Sequence, residues 1–324
     1  MDRVTSDNPS GIRPCPAPVA GLRPALPSPL VELADERFAA RGVRLLLKRD
    51  DLIHPDLPGN KWRKLEPNLA AAAAAGRGTL LTFGGAYSNH LRATAAAGRL
   101  LGFGTIGVVR GDELADRPLN WSLARCAADG MVLRFVDRAT YRRKTEPDVL
   151  AGLGVPGDAL VVPEGGSNAA AARGCAQLGR ELRGVAAPGT LVAGVACGTG
   201  GTLAGLAAGL GDGGRVIGFP VLRGGFLGAE IRRLQQEAFG GPRGDWTLDE
   251  RFHCGGYAKS SPALAAFAED FGARHGIVPE RVYVAKALYG LTTLAEEGVF
   301  APGTTVVAVV TGAEDGPQPA ASSR

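Results

Sequence analysis

The stretch TLVAGVACGTGGTLAGLAAGL, residues 190–210, decides the fold class. It opens on a continuous apolar run (191–196), passes through a glycine-rich loop (197–201) and continues as a helical run (202–210). An apolar run without polar alternation marks a strand covered on both faces, as in a parallel sheet. The glycines let backbone amides turn inward, and the helix behind them adds free N–H groups and the positive end of its dipole. Such a corner binds a phosphate without needing a lysine. Thr199 and Thr202 add hydroxyl donors. Two other phosphate loops are excluded by spelling: no GxxxxGK(S/T) occurs, and Leu203 stands where GxGxxG needs its third glycine. The competing reading is a tight strand-to-helix turn with no ligand.

Working outward, similar apolar runs occur at 43–48, 79–82, 105–109, 131–135, 159–162, 215–220 and 305–310. Helical runs at 89–101 and 169–182 follow two of them. Repeated βαβ units predict an α/β fold. The stretch 184–188 is read as a crossing between lobes, and the alanine run 70–75 as a packed helix.

With 324 residues the chain is long enough for two domains, and its 21% charged and 45% hydrophobic content is that of a soluble globular protein. The net charge of +4 is small and forms no basic stripe, which argues against nucleic acid or a membrane surface as partner. Five scattered cysteines (Cys15, Cys126, Cys175, Cys197, Cys254), with no CxxC pair and no secretory signal, predict reduced thiols in a cytoplasm. The four histidines form no ligand cluster, so no metal site is expected. No apolar stretch is long enough for a membrane span. The ends, 1–18 and 313–324, rich in Pro, Ser, Gly and charge, read as disordered.

Three further segments carry polar residues at strand-to-helix turns. In LLLKRDDLIHPDLPGNKWRKLE (45–66), Lys61 opens a helix. A lysine there meets the positive end of the dipole, which lowers its pKa and favours the neutral amine that attacks carbonyls. Lys64, Arg63 and Arg49 are expected to push the same way, although spacing alone fits a solvated basic helix start equally well. In TFGGAYSNHLRATAAAG (82–98), Ser88, Asn89 and His90 fall at the turn, where Ser or Asn is ordinarily an N-cap. Ser167 and Asn168 hold the same position in VVPEGGSNAAAARG (161–174).

Six motifs in order then carry a resemblance: KRDDL (48–52), GNKWRKLE (59–66), YSNHLRATAAAG (87–98), PEGGSN (163–168), CGTGGTLAGL (197–206) and RVYVAKALYGL (281–291). Together they resemble the 1-aminocyclopropane-1-carboxylate (ACC) deaminase / D-cysteine desulfhydrase family of fold type II pyridoxal-phosphate enzymes, the tryptophan synthase β-like group. The resemblance implies two doubly wound α/β lobes with pyridoxal 5'-phosphate in the cleft. The larger lobe is expected from 1–63 and 175–324, the smaller from 64–174, and the assembly is expected to be a homodimer. Lys61 matches the Schiff-base lysine, and Asn89 the partner of the cofactor's phenolic oxygen. Cys197, Gly198, Thr199, Gly200, Gly201 and Thr202 match the phosphate cup, and Thr311 the hydroxyl near the ring nitrogen. Ser88, Tyr257 and Tyr283 match catalytic positions. Ser88, Asn89, His90 and Ser167 are expected around the substrate.

Three departures matter. Val284 stands where ACC deaminases carry a glutamate after the tyrosine, VTGA (310–313) replaces HTGG, and His90 replaces a glutamine. They shift the expected activity from ACC ring-opening to α,β-elimination from D-cysteine, giving pyruvate, ammonia and sulfide. The alternatives are ACC deamination, a β-replacement or dehydration like that of cysteine synthase or serine/threonine dehydratase, and a non-catalytic cofactor-binding homologue.

Overall fold

The apolar runs form strands because Val, Leu and Ile fit a pleated surface that is covered on both sides. In the computed structural model, which describes residues 19–312 except Pro58, they make two sheets. The ends expected to be disordered lie outside the described residues. The strands are β1 (Leu30–Leu33), β2 (Arg44–Arg49), β3 (Thr79–Gly84), β4 (Gly104–Arg110), β5 (Met131–Val136), β6 (Ala159–Val161), β7 (Leu191–Cys197), β8 (Arg215–Pro220), β9 (Asp245–Leu248) and β10 (Thr305–Val310). One sheet has the order β1-β2-β10-β7-β8-β9, the other β5-β4-β3-β6. Every pairing is parallel except β1 with β2. All eight expected strands are present. The two unforeseen ones, LVEL and DWTL, are short sheet edges with exposed positions, so neither spells a continuous apolar run.

Two helices join the sheets. Helix Lys61–Ala74 buries Trp62, Leu65, Leu69 and Ala72 against Leu80 of β3 and Ala93, Ala96 and Ala97 of helix Asn89–Leu101. Its other side meets helix Ala169–Leu182, where a Cβ on Gly174 would stand 2.0 Å from the Arg63 carbonyl. Helix Ala169–Leu182 in turn lies against helix Gly201–Leu210, whose Gly205 and Gly209 have no room for a Cβ beside the Ala172 and Ala176 carbonyls (2.2 and 1.9 Å). That close approach seats the glycine-rich loop against the lysine helix.

One expectation changes here. The stretch 184–188 connects helix Ala169–Leu182 to β7 and is no crossing between sheets; the chain leaves the smaller sheet between Val161 and Ala169. The expected lobe boundaries at 63/64 and 174/175 both fall inside helices, because these helices bridge the sheets.

Candidate active site

In parallel α/β sheets the loops beyond the carboxyl ends of the strands form the ligand crevice. Here four such ends converge: β3 leads to Ser88, β6 to Ser167, β7 to Gly198 and β10 to Thr311.

Asn60, just before Lys61, ties two of these segments to the lysine helix. Its N–H donates to the Thr311 carbonyl (2.9 Å) and its Nδ2 to Thr202 Oγ1 (3.1 Å). Gly59 has φ +63°, and any Cβ there would collide with the Thr311 carbonyl at 1.9 Å, so only glycine lets the loop pass. Lys61 thus opens its helix at the junction. Burial, then repulsion from Lys64, pulls its pKa down to about 7, against a weaker upward pull that includes Glu280. Of the cations expected to help, Arg63 and Arg49 do not. Arg63 is bound by Asp50 (2.8 Å) and Glu181 (2.9 Å), and Arg49 by Asp51 (2.7 Å).

The glycine-rich loop runs from the end of β7 into helix Gly201–Leu210, with Gly200 left-handed at the cap (φ +79°). The first N–H groups of a helix have no intrahelical partner, so this turn points donors at the junction. Ser167 Oγ and Thr199 Oγ1 are hydrogen-bonded to each other. Lys64 Nζ donates to the Gly165 carbonyl (3.2 Å) and Ser167 Oγ (3.3 Å), and burial lowers its pKa. Cβ atoms would intrude here: on Gly201 at 2.8 Å from Ser167 Oγ and 3.5 Å from Lys64 Nζ, on Gly198 at 3.3 Å from the Tyr283 ring. Cys197, expected in the cup, turns its thiol away, donating to the Val195 carbonyl and lying near Gly218. Burial pushes that thiol up to about 12, so only its backbone faces the loop chemistry.

Across the junction, Ser88 caps helix Asn89–Leu101, accepting the Leu91 N–H at 3.2 Å and keeping its own proton to donate. Asn89 Oδ1 accepts from Arg92 (2.7 Å), which orients the amide so that Nδ2 turns toward Gly312. Arg92 is itself fixed by Ser122 (2.9 Å) and by the Trp121 ring, 4.4 Å away. His90, expected at the substrate, is only 2% exposed, and its ring faces the interior. Thr82 Oγ1 donates to the Val162 carbonyl and so accepts from His90 Nε2, at 2.8 Å each. Burial, then the positive Lys61 and Lys64, holds this imidazole neutral. Any contact of His90 with substrate therefore runs through its backbone.

Tyr283 stands at the start of helix Val284–Glu296, and its ring meets Tyr257 edge-on at 6.1 Å. Burial raises the Tyr283 phenol well above its ordinary pKa, so it holds its proton. Glu280 fixes this turn by accepting the N–H groups of Val282 (2.7 Å) and Tyr283 (2.8 Å). Val284 is buried in the core, so that position offers no carboxylate.

Two buried amines without a carboxylate partner among the described residues, a helix N-terminus and three hydroxyls converge on one place. A family model described as pyridoxal-phosphate dependent enzyme matches residues 23–312. The chain belongs to the pyridoxal-phosphate dependent enzymes. A protein of Pyrococcus horikoshii named as a candidate 1-aminocyclopropane-1-carboxylate deaminase is 30% identical over 285 residues, 85% of this chain and 86% of that one. The D-cysteine desulfhydrase of Yersinia pestis (strain Pestoides F) is 31% identical over 292 residues, 84% of this chain and 87% of that protein. A crystal structure of an ACC deaminase homologue superposes with a TM-score of 0.74 at 28% identity, covering 88% of this chain and 89% of that one.

The donor set of this enzyme fits its cofactor. The space that a Cβ on Gly201 would fill is rimmed by Ser167 and Lys64, with Thr199 hydrogen-bonded to Ser167, which suits a phosphate dianion. The Lys61 amine, half deprotonated near pH 7, suits an aldehyde. Sequence reasoning missed Arg92 and Glu280. Their only signal was spacing, since each stands three residues from a candidate, Arg92 after Asn89 and Glu280 before Tyr283.

Proposed function

We propose that this enzyme catalyses α,β-elimination from a small amino acid, with D-cysteine as the preferred substrate and pyruvate, ammonia and sulfide as products. The observation that carries the reading is the placement of Lys61, whose neighbour Asn60 binds Thr202 of the glycine-rich loop and the Thr311 carbonyl, with burial pulling the pKa of its amine down to about 7. The choice of D-cysteine over ACC rests on the apolar Val284, where ACC deaminases carry a glutamate.

In this reading Gly198, Thr199, Gly200, Gly201 and Thr202, with Lys64 and Ser167, hold the cofactor's phosphate. Asn89 Nδ2 and the Thr311 hydroxyl serve its ring, and Lys61 is the covalent anchor. When bound, pyridoxal phosphate supplies the electron sink for the pair left as the substrate Cα–H bond breaks. The N–H groups behind Ser88 and Asn89 bind the substrate carboxylate. Lys61 Nζ, once unprotonated, takes the Cα proton. Ser88 Oγ and the phenols of Tyr257 and Tyr283 stand as hydrogen-bond donors to the departing sulfur, and the proton that Lys61 took from Cα leaves with the sulfide. Water then completes the balance: cysteine and water give pyruvate, ammonia and hydrogen sulfide.

The test is product analysis of the purified holoenzyme with D-cysteine, L-cysteine, D-serine and ACC. Sulfide and pyruvate in equal amounts from D-cysteine, with slower or no release from the others, is expected. Ammonia from ACC with none from D-cysteine would overturn the elimination reading.

A further inference from the structure

Lys286 is a buried cation that the chemistry above does not use. It lies in the first turn of helix Val284–Glu296, three residues after Tyr283, and is fully buried. A cation there opposes the helix dipole and gives up its water. No carboxylate pairs with it among the described residues; the titratable groups acting on it are Glu280 and Cys254. Its Nζ instead donates to the carbonyls of His253 and Gly256, both at 2.8 Å.

Those two carbonyls belong to the loop that carries Tyr257. Four residues around that tyrosine are left-handed: Cys254 (φ +50°), Gly255 (+91°), Gly256 (+119°) and Ala258 (+53°). Two of them bear a Cβ, which makes this conformation costly, and such backbone persists only where its surroundings enforce it. Tyr257 is 42% exposed, so its own ring is only partly held by burial. Lys286 reaches from the Tyr283 helix into the loop just before Tyr257. One side chain therefore links the two elements whose rings meet at 6.1 Å.

We propose that Lys286 is a positioning residue for the tyrosine pair: by binding the His253 and Gly256 carbonyls it fixes the loop that presents Tyr257 to Tyr283, without touching substrate. The inference rests on the reading of these tyrosines as hydrogen-bond donors to the departing sulfur. Removing the ammonium loosens the loop, lowers the fraction of molecules with Tyr257 in place, and so acts on turnover more than on substrate binding.

The experiment compares wild-type holoenzyme with Lys286→Met, Lys286→Arg, Tyr257→Phe and the Tyr257→Phe/Lys286→Met double variant. It reads backbone hydrogen exchange and the kinetics with D-cysteine. In Lys286→Met, exchange over 254–259 is expected to quicken about tenfold or more while 192–203 stays unchanged. The kcat is expected to fall roughly 10- to 100-fold with KM within about threefold, and Lys286→Arg to recover part of both. The double variant is expected to be no slower than Tyr257→Phe within about twofold, because Lys286 acts only through that ring. Multiplying losses in the double variant, or native loop exchange in Lys286→Met, overturn the proposal. If Tyr257→Phe alone retains full turnover, the donor reading of the tyrosines fails, and loop exchange by itself decides whether Lys286 is the clamp. Should Lys286→Met not fold, Lys286→Gln is read by the same criteria.

Discussion

Lys61 and Arg63 stand two residues apart on one helical turn, and both lose water on folding, yet their surroundings differ. Arg63 is met by Asp50, Glu181 and Ser28, and Lys48 closes the cluster through Glu181 (2.8 Å). Its charge is fully compensated and it pins the helix to the turn that follows β2 and to helix Ala169–Leu182. Lys61 is repelled by Lys64 and, more weakly, by Arg92, with Cys175 and Glu280 as partial relief. A paired buried cation holds structure, whereas an unpaired one is a reactive amine waiting for an anionic partner.

The sharpest way to break this contrast is Lys61→Ala. Turnover is expected to fall by about 10^3-fold or more, and the absorbance of the lysine-linked cofactor to vanish, with no loss of thermal stability in the cofactor-free protein. Unchanged absorbance in that variant would falsify the anchor role. Arg63→Met should do the reverse. It leaves Asp50 buried without its cation and Glu181 held by Lys48 alone, which costs about 3–5 kcal/mol in urea unfolding. If that variant unfolds like wild type, the ion cluster is not what holds the helix. Tyr283→Phe is expected to lower kcat about 100-fold with KM little changed.

Lys64→Gln acts on both sides of the contrast. Losing one charge-assisted donor should weaken cofactor retention roughly tenfold by equilibrium dialysis. Removing the repulsion also lets the Lys61 pKa rise above about 7, so the pH at which the apoenzyme takes up cofactor half-maximally should move upward. The smallest effect is on stability. Between about 7 and 10.5 the unfolded chain keeps a proton on Lys61 that the folded chain has lost. The unfolded state thus binds more protons, so cofactor-free stability should climb with pH in that window. Lys61→Met should flatten the climb in pH-dependent unfolding.

The strands of the two sheets were legible because doubly covered strands spell continuous apolar runs, and helix Asn89–Leu101 because Ser88 and Gly102 bracket it. The edges β1 and β9 were not, since a strand with one free side needs no such run. The glycine-rich loop was readable as a possible phosphate cradle from local order alone. The status of Lys61 was not, because its spelling equals that of a solvated helix start. The orientation of His90 was not legible for the same reason: its position beside Asn89 says nothing of a ring that turns inward to Thr82.

The sequence by itself therefore determined the α/β class, the glycine-rich corner and the residue types of a pyridoxal-phosphate site, all of which depend on neighbours in the chain. Only the tertiary structure decided which cations are paired. Arg63 finds Glu181 118 positions away, and Asn60 finds Thr202 142 positions away. Burial and compensation of charge are sums over everything nearby in space, and chain order does not record what is nearby.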